Sequence, residues 1–226
     1  MKLFAFAVPA LALVAAPAQA DTPREMLTQA SFQDRDKAAA LRRVVQAHGA
    51  ATAALARNPH DREAALMQAT ALGYRAKLTG SRADAVAARR AMEKLVATHP
   101  RDPERQLALG AWHMGAVHRL GRIVGRAVLG ASKPIGLSAL DRAVALGGDR
   151  ALFPGISGLL RLEQDPKDPG ARALVEAAAR GSTPTALDRH LQAAARAVLA
   201  PLRAGDAAAV RRTAARHLPL GWVEER

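Results

Sequence analysis

The sequence predicts an all-α protein, and three observations carry that prediction. Alanine, leucine and arginine, all good helix formers, dominate the chain. Apolar residues recur at three- and four-residue intervals between breaks rich in Gly and Pro. No run of β-branched residues alternates with polar ones as a strand would.

The elements follow in order. Residues 1–20 read as a secretory signal peptide: Lys2, an apolar stretch from Leu3 to Ala16, then Ala18-Gln19-Ala20 before Asp21. The expected address is the periplasm. The chain has no cysteine, so it offers no lipoprotein anchor, disulfide or thiolate. No later segment reaches the ~18 uncharged apolar residues of a membrane span. Residues 21–226 are expected to form one domain.

Breaks fall at Asn58-Pro59, Thr79-Gly80-Ser81, His99-Pro100, Gly147-Gly148, Asp165-Pro166, Gly181-Ser182 and Ala204-Gly205. They separate about eight or nine helices. The first buries Leu41, Val44, Val45, His48, Thr52 and Leu55. The next ones bury Leu66, Ala69, Gly73 and Ala76, then Ala85, Ala88, Met92 and Leu95. A longer helix from Pro103 to about Leu129 carries Leu107, Gly110, Met114, Val117, Gly121 and Val124 in one stripe. Ile135, Leu140 and Val144 follow, then Leu174, Val175 and Ala178, and last Leu187, Leu191, Ala194, Val198 and Leu202. Ser81 with Asp84 has capping-box spacing. Asp102-Pro103, Asp168-Pro169 and Thr183-Pro184 each set a capping side chain before a proline suited to the first helical position.

The stretch NPHDREAAL (58–66) matches HPRDPERQL (99–107) at Pro59/Pro100, Asp61/Asp102, Glu63/Glu104 and Leu66/Leu107. Ala47, Ala51 and Ala54 precede the first proline as Ala88, Met92 and Leu95 precede the second. Gly136, Leu140, Ala143 and Gly148 form a degenerate third copy. A small, a large and a small residue with a terminal proline at these intervals resemble the second helix of a tetratricopeptide (TPR) repeat, and Leu109-Gly110 resembles the Leu-Gly of that family's first helix. The resemblance covers about residues 38–148; helices without repeats occupy 149–218. It implies an α-solenoid of stacked antiparallel helix pairs, whose concave face holds a peptide. More loosely, the chain is similar to the helical-repeat T component of TRAP transport systems, which implies a role accessory to transport; that family's lipid-anchoring cysteine has no counterpart here.

Motifs for chemistry are near misses. Gly125-x4-Gly130 is followed by Ala131-Ser132-Lys133, which puts the lysine two residues too late for a phosphate loop. Gly155-Ile156-Ser157-Gly158 brings the second glycine of a nucleophile elbow one place early. His113 and His118 stand five apart and diverge by about 140° on a helix, so no metal site is expected. No cofactor is implied, and Glu93, Asp141 and Glu163 read as exposed helix residues.

The net charge is +13, with 27 Arg against six Lys. It favours an acidic partner, while the 3% aromatic content leaves few platforms for nucleic-acid bases. Arg119, Arg122 and Arg126 project to one face of the long helix and form, with Lys133, the candidate partner-binding ridge; Trp112 near the same face reads as the cover of a neighbouring helix or as an exposed partner-binding anchor. Gly110, Gly121 and Gly125 are the candidate helix-packing positions on the other face. The expected function is a non-enzymatic scaffold for an envelope protein or peptide. The alternative is a small-molecule or lipid-binding protein of the cell envelope.

Overall fold

The computed structural model describes residues 21–223, so the signal peptide expected at residues 1–20 lies outside the described residues. Eleven α-helices occupy the described chain: α1 (Pro23–Phe32), α2 (Lys37–Arg57), α3 (Arg62–Thr79), α4 (Arg82–Thr98), α5 (Pro103–Leu120), α6 (Arg122–Leu129), α7 (Lys133–Leu146), α8 (Leu152–Gln164), α9 (Pro169–Arg180), α10 (Ala186–Ala204) and α11 (Ala207–His217). A 3-10 turn at Gly221–Val223 follows. The protein is all-α, with more and shorter helices than the eight or nine expected.

Local chemistry accounts for the starts. Asp61, Asp102, Asp168 and Asp206 each accept backbone N–H bonds from the first turn of the helix that follows, as good N-caps do. Ser81 caps α4 through the Asp84 N–H, but Asp84 turns its carboxylate to Arg75 and completes only half the box. The cap expected at Thr183-Pro184 sits two residues later. Thr185 and Asp188 form a full capping box there, which the buried position of Asp188 enforces.

The long helix expected from Pro103 to Leu129 is two helices. Gly121 has φ 75° and ψ 168°, a region open essentially to glycine alone. Its N–H closes α5 on the Val117 carbonyl and its own carbonyl opens α6 to the Gly125 N–H. One residue thus ends one helix and starts the next.

From α1 to α5 each helix packs on its successor, and small residues make the contact. Ala40, Val44, Ala47 and Ala51 are the buried face of α2, while Val45 stays 48% exposed. Of the face expected inside, Val44 is buried and Leu41 packs on the core, whereas Val45 and Thr52 face out and alanines take the contact positions. The repeat positions Ala88 and Met92 in α4, and Gly136, Leu140 and Ala143 in α7, are buried as well.

The C-terminal part is built differently. The helix α8 is buried at eleven positions from Leu152 to Glu163 and is packed by α5, α7, α9, α10 and α11. Leu159, Leu162, Val175, Leu191 and Val198 form its core with Leu107, Met114 and Leu140. Residues Leu220 and Trp222 return to the N-terminal core beside Leu27, Val44 and Met67. The Trp222 indole N–H donates to the Ser31 carbonyl at 3.1 Å.

Candidate functional site

A cavity of about 440 Å³ lies between the two parts of the molecule. Its lining follows α3 from Leu66 to Lys77 and α5 from Glu104 to Leu120, about 24 Å along the axis of α5. Leu27 and Phe32 of α1, Ile156 and Leu160 of α8, Leu187 and Leu218 close the other sides. The walls are mainly apolar, with guanidinium groups at the two ends, the composition of a pocket for a small organic molecule.

Charges compensate one another at one end. The Arg24 guanidinium clasps Glu63 at 2.6 and 2.7 Å and reaches Glu104 at 2.6 Å. Glu104 accepts in turn from Arg150 at 3.0 Å, and Arg150 pairs with Asp188 at 3.1 Å. Burial acts against ionisation of Asp188, but the Thr185 hydroxyl, the Arg150 guanidinium and the Leu152 N–H more than offset it and hold the carboxyl below its ordinary range. This chain of ion pairs ties α1, α3 and α5 to α10. Near the middle of the cavity, burial pushes the Tyr74 phenol up.

The opposite end is basic. Arg82 donates to the Val128 carbonyl at 3.2 Å and Arg119 to the Lys77 carbonyl at 3.2 Å, and all four residues line the cavity. His118 lies 3.8 Å from the carboxylate of the buried Glu163 on the same wall. Outside the ion-pair chain, an open groove of about 790 Å³ runs past Arg62, His99 and Arg101.

The expected ridge is divided by the break at Gly121. Arg119 belongs to α5, whereas Arg122 and Arg126 belong to α6; all three are exposed. Lys133 opens α7 and is half-buried. Trp112 is no exposed anchor: it packs over Gly73 in a cluster with Ala69, Met92 and Leu109, and it also lines the cavity. Of the three glycines, Gly110 is a tight contact, since a Cβ there would stand 2.8 Å from Leu140. Gly125 is buried under Ala116 and Ala131. Gly121 is exposed, and a Cβ there would meet nothing within 4 Å. Its packing role is withdrawn, because backbone conformation alone requires glycine at that position.

The carboxylates Glu93, Asp141 and Glu163 are placed apart, each beside its own basic partner: Glu93 with Arg89, Asp141 with Arg161 and Glu163 with His118. Glu163 is buried, not exposed as expected. Ser157 is buried inside α8. Among the described residues no group of three or more His, Asp or Glu is placed to hold a metal ion, and no helix is long and apolar enough to cross a membrane. The cavity itself escaped the sequence, because its walls come from eight separated segments and its apolar residues have the same spacing as core residues.

No family model, curated protein or solved structure matches the chain.

Proposed function

We propose that the protein is a non-enzymatic binding protein whose cavity takes up a small molecule with an apolar body and an anionic end. The observation that carries this reading is the cavity of about 440 Å³ with apolar walls and Arg82, Arg119 and Lys77 at one end. An apolar body displaces water from the walls, and guanidinium groups at the end suit a carboxylate or phosphate. The other end offers little to an anion, because Glu63, Glu104 and Asp188 already neutralise Arg24 and Arg150.

A scaffold that lays a peptide along its inner face is the competing reading. It has less support, since Leu220 and Trp222 of the same chain already cover apolar surface of α1, α2 and α3 that a peptide would need. An address in the cell envelope remains part of the proposal and is tested by fractionating the host.

Gly115 supplies the test. It lies on the cavity wall within α5, and a Cβ there meets nothing within 4 Å. Gly115→Phe fills the cavity while gaining a few tenths of a kcal/mol of helix propensity. Calorimetric titration with a long-chain fatty acid is expected to show saturable binding to the wild type and none to Gly115→Phe, with no fall in melting temperature. Equal binding by both proteins, or none by the wild type across carboxylate and phosphate amphiphiles, overturns the reading.

A further inference from the structure

The helix α6 is folded inside out. At about 100° per residue, Ile123, Val124, Ala127 and Val128 cover an arc of about 140° of its surface. All four are exposed, Ile123 by 86% and Val124 by 50%. The side that meets the protein is the narrow stripe of Gly125 and Leu129. An amphipathic helix normally buries its apolar arc; this one turns it to solvent.

The sequence on both sides of it carries charge of one sign. From Arg105 through Leu140 the chain has no Asp or Glu. Arg122 and Arg126 border the arc on its Ile123 side, exposed, and among the described residues their side chains make no hydrogen bond or ion pair. Arg119 precedes them, and Arg82 is tied to the end of α6 through Val128.

We propose that α6 docks on an anionic lipid bilayer, its apolar arc entering the interface and its arginines engaging the headgroups. An exposed apolar arc bordered by unpaired arginines is the pattern of a helix that lies in the plane of a membrane surface. An acidic protein groove would neutralise the arginines but needs a matching apolar channel; a bilayer supplies both layers at every point. Val128 and Leu129 of α6 also line the cavity at its basic end, so docking brings that end to the lipid. The docking stands without the ligand reading; only the entry of a ligand from the bilayer rests on it.

The absence of cysteine makes the test clean. An environment-sensitive fluorophore is attached to the full chain at Ile123→Cys, or at Ala177→Cys on the exposed side of α9 as control. The label reads α6 itself, whatever residues 1–20 do. With vesicles of equal parts phosphatidylcholine and phosphatidylglycerol, the label at 123 is expected to shift to the blue and the label at 177 to stay unchanged. Vesicles of phosphatidylcholine alone leave both unchanged. Each arginine near an anionic surface contributes about five-fold in affinity, so adding Arg122→Glu and Arg126→Glu weakens vesicle binding at least ten-fold at an unchanged melting temperature. Gly115→Phe retains the shift, which separates failure of docking from failure of the cavity reading. No shift at 123, an equal shift on neutral vesicles, or a shift that grows with protein concentration in the absence of lipid overturns the proposal; the last outcome assigns the arc to a second copy of the chain.

Discussion

The helices α5 and α6 share one continuous apolar stripe in sequence and have opposite fates in the fold. In α5, Leu107, Met114 and Val117 are buried, and Glu104 binds the first turn to Arg24 and Arg150. In α6, Gly125 alone is buried, and Ile123, Val124 and Val128 face water. Periodicity therefore says which residues share a face, not which way the face points. Direction is decided by the break at Gly121, which re-aims the chain, and by what is left to pack against once α7 has taken the place beside α5.

The largest effect is expected where α5 is anchored. Asp188 is fully buried and receives Arg150, the Leu152 N–H and the Thr185 hydroxyl. Asp188→Ala leaves these donors unmatched and should cost ~3–5 kcal/mol, seen in chemical denaturation. The carboxyl is depressed in the folded state and ordinary, near pH 3.9, in the unfolded one. Its contribution is therefore present above about pH 4 and is lost as pH falls through the folded value. The acid limb of the stability profile should be steeper in the wild type than in Asp188→Ala; identical limbs would remove the charge from the anchor.

The next effect separates α5 from α6 by packing. A Cβ at Gly110 would stand 2.8 Å from Leu140 and 3.0 Å from the Gly136 carbonyl, so Gly110→Leu should destabilise by ~1–3 kcal/mol through overpacking. At 2–4 °C per kcal/mol for a chain of this size, the melting temperature should fall by about 5 °C. A neutral result would mean that α7 moves aside freely, and the tight half of the comparison would no longer hold.

Much of this fold was legible in the sequence, and the failures have physical causes. The prolines and glycines at Asn58-Pro59, His99-Pro100 and Gly147-Gly148 mark real helix ends, since both residue types act locally on φ and on the hydrogen-bond ladder. The burial of Gly110 and Gly136 follows from the small-residue spacing. Gly121 misled because a glycine inside an apolar stripe reads equally as close packing or as a break; its φ is invisible in one sequence. Trp112 and the cavity are tertiary, made by segments as distant as Leu27 and Leu218. The arginines were found, but their setting beside an exposed apolar arc depends on the turn at Gly121.

That turn supplies the last prediction. Packing and backbone conformation both demand glycine, but they respond differently to side-chain size. If conformation alone requires it, Gly121→Ala and Gly121→Leu should cost the same, ~1–3 kcal/mol for a non-glycine residue in this region, because nothing lies within 4 Å of the added Cβ. If packing required it, leucine would cost more than alanine, as expected at Gly110. Relief of the strain is also available: either substitution can let α5 run straight on into α6 as one helix. In that case far-ultraviolet circular dichroism should show a gain of helix and the Ile123 label should lose its response to lipid, because straightening re-aims the arc. Equal costs with an unchanged label response would place the strain at one residue and leave the orientation of α6 to its Gly125 contact.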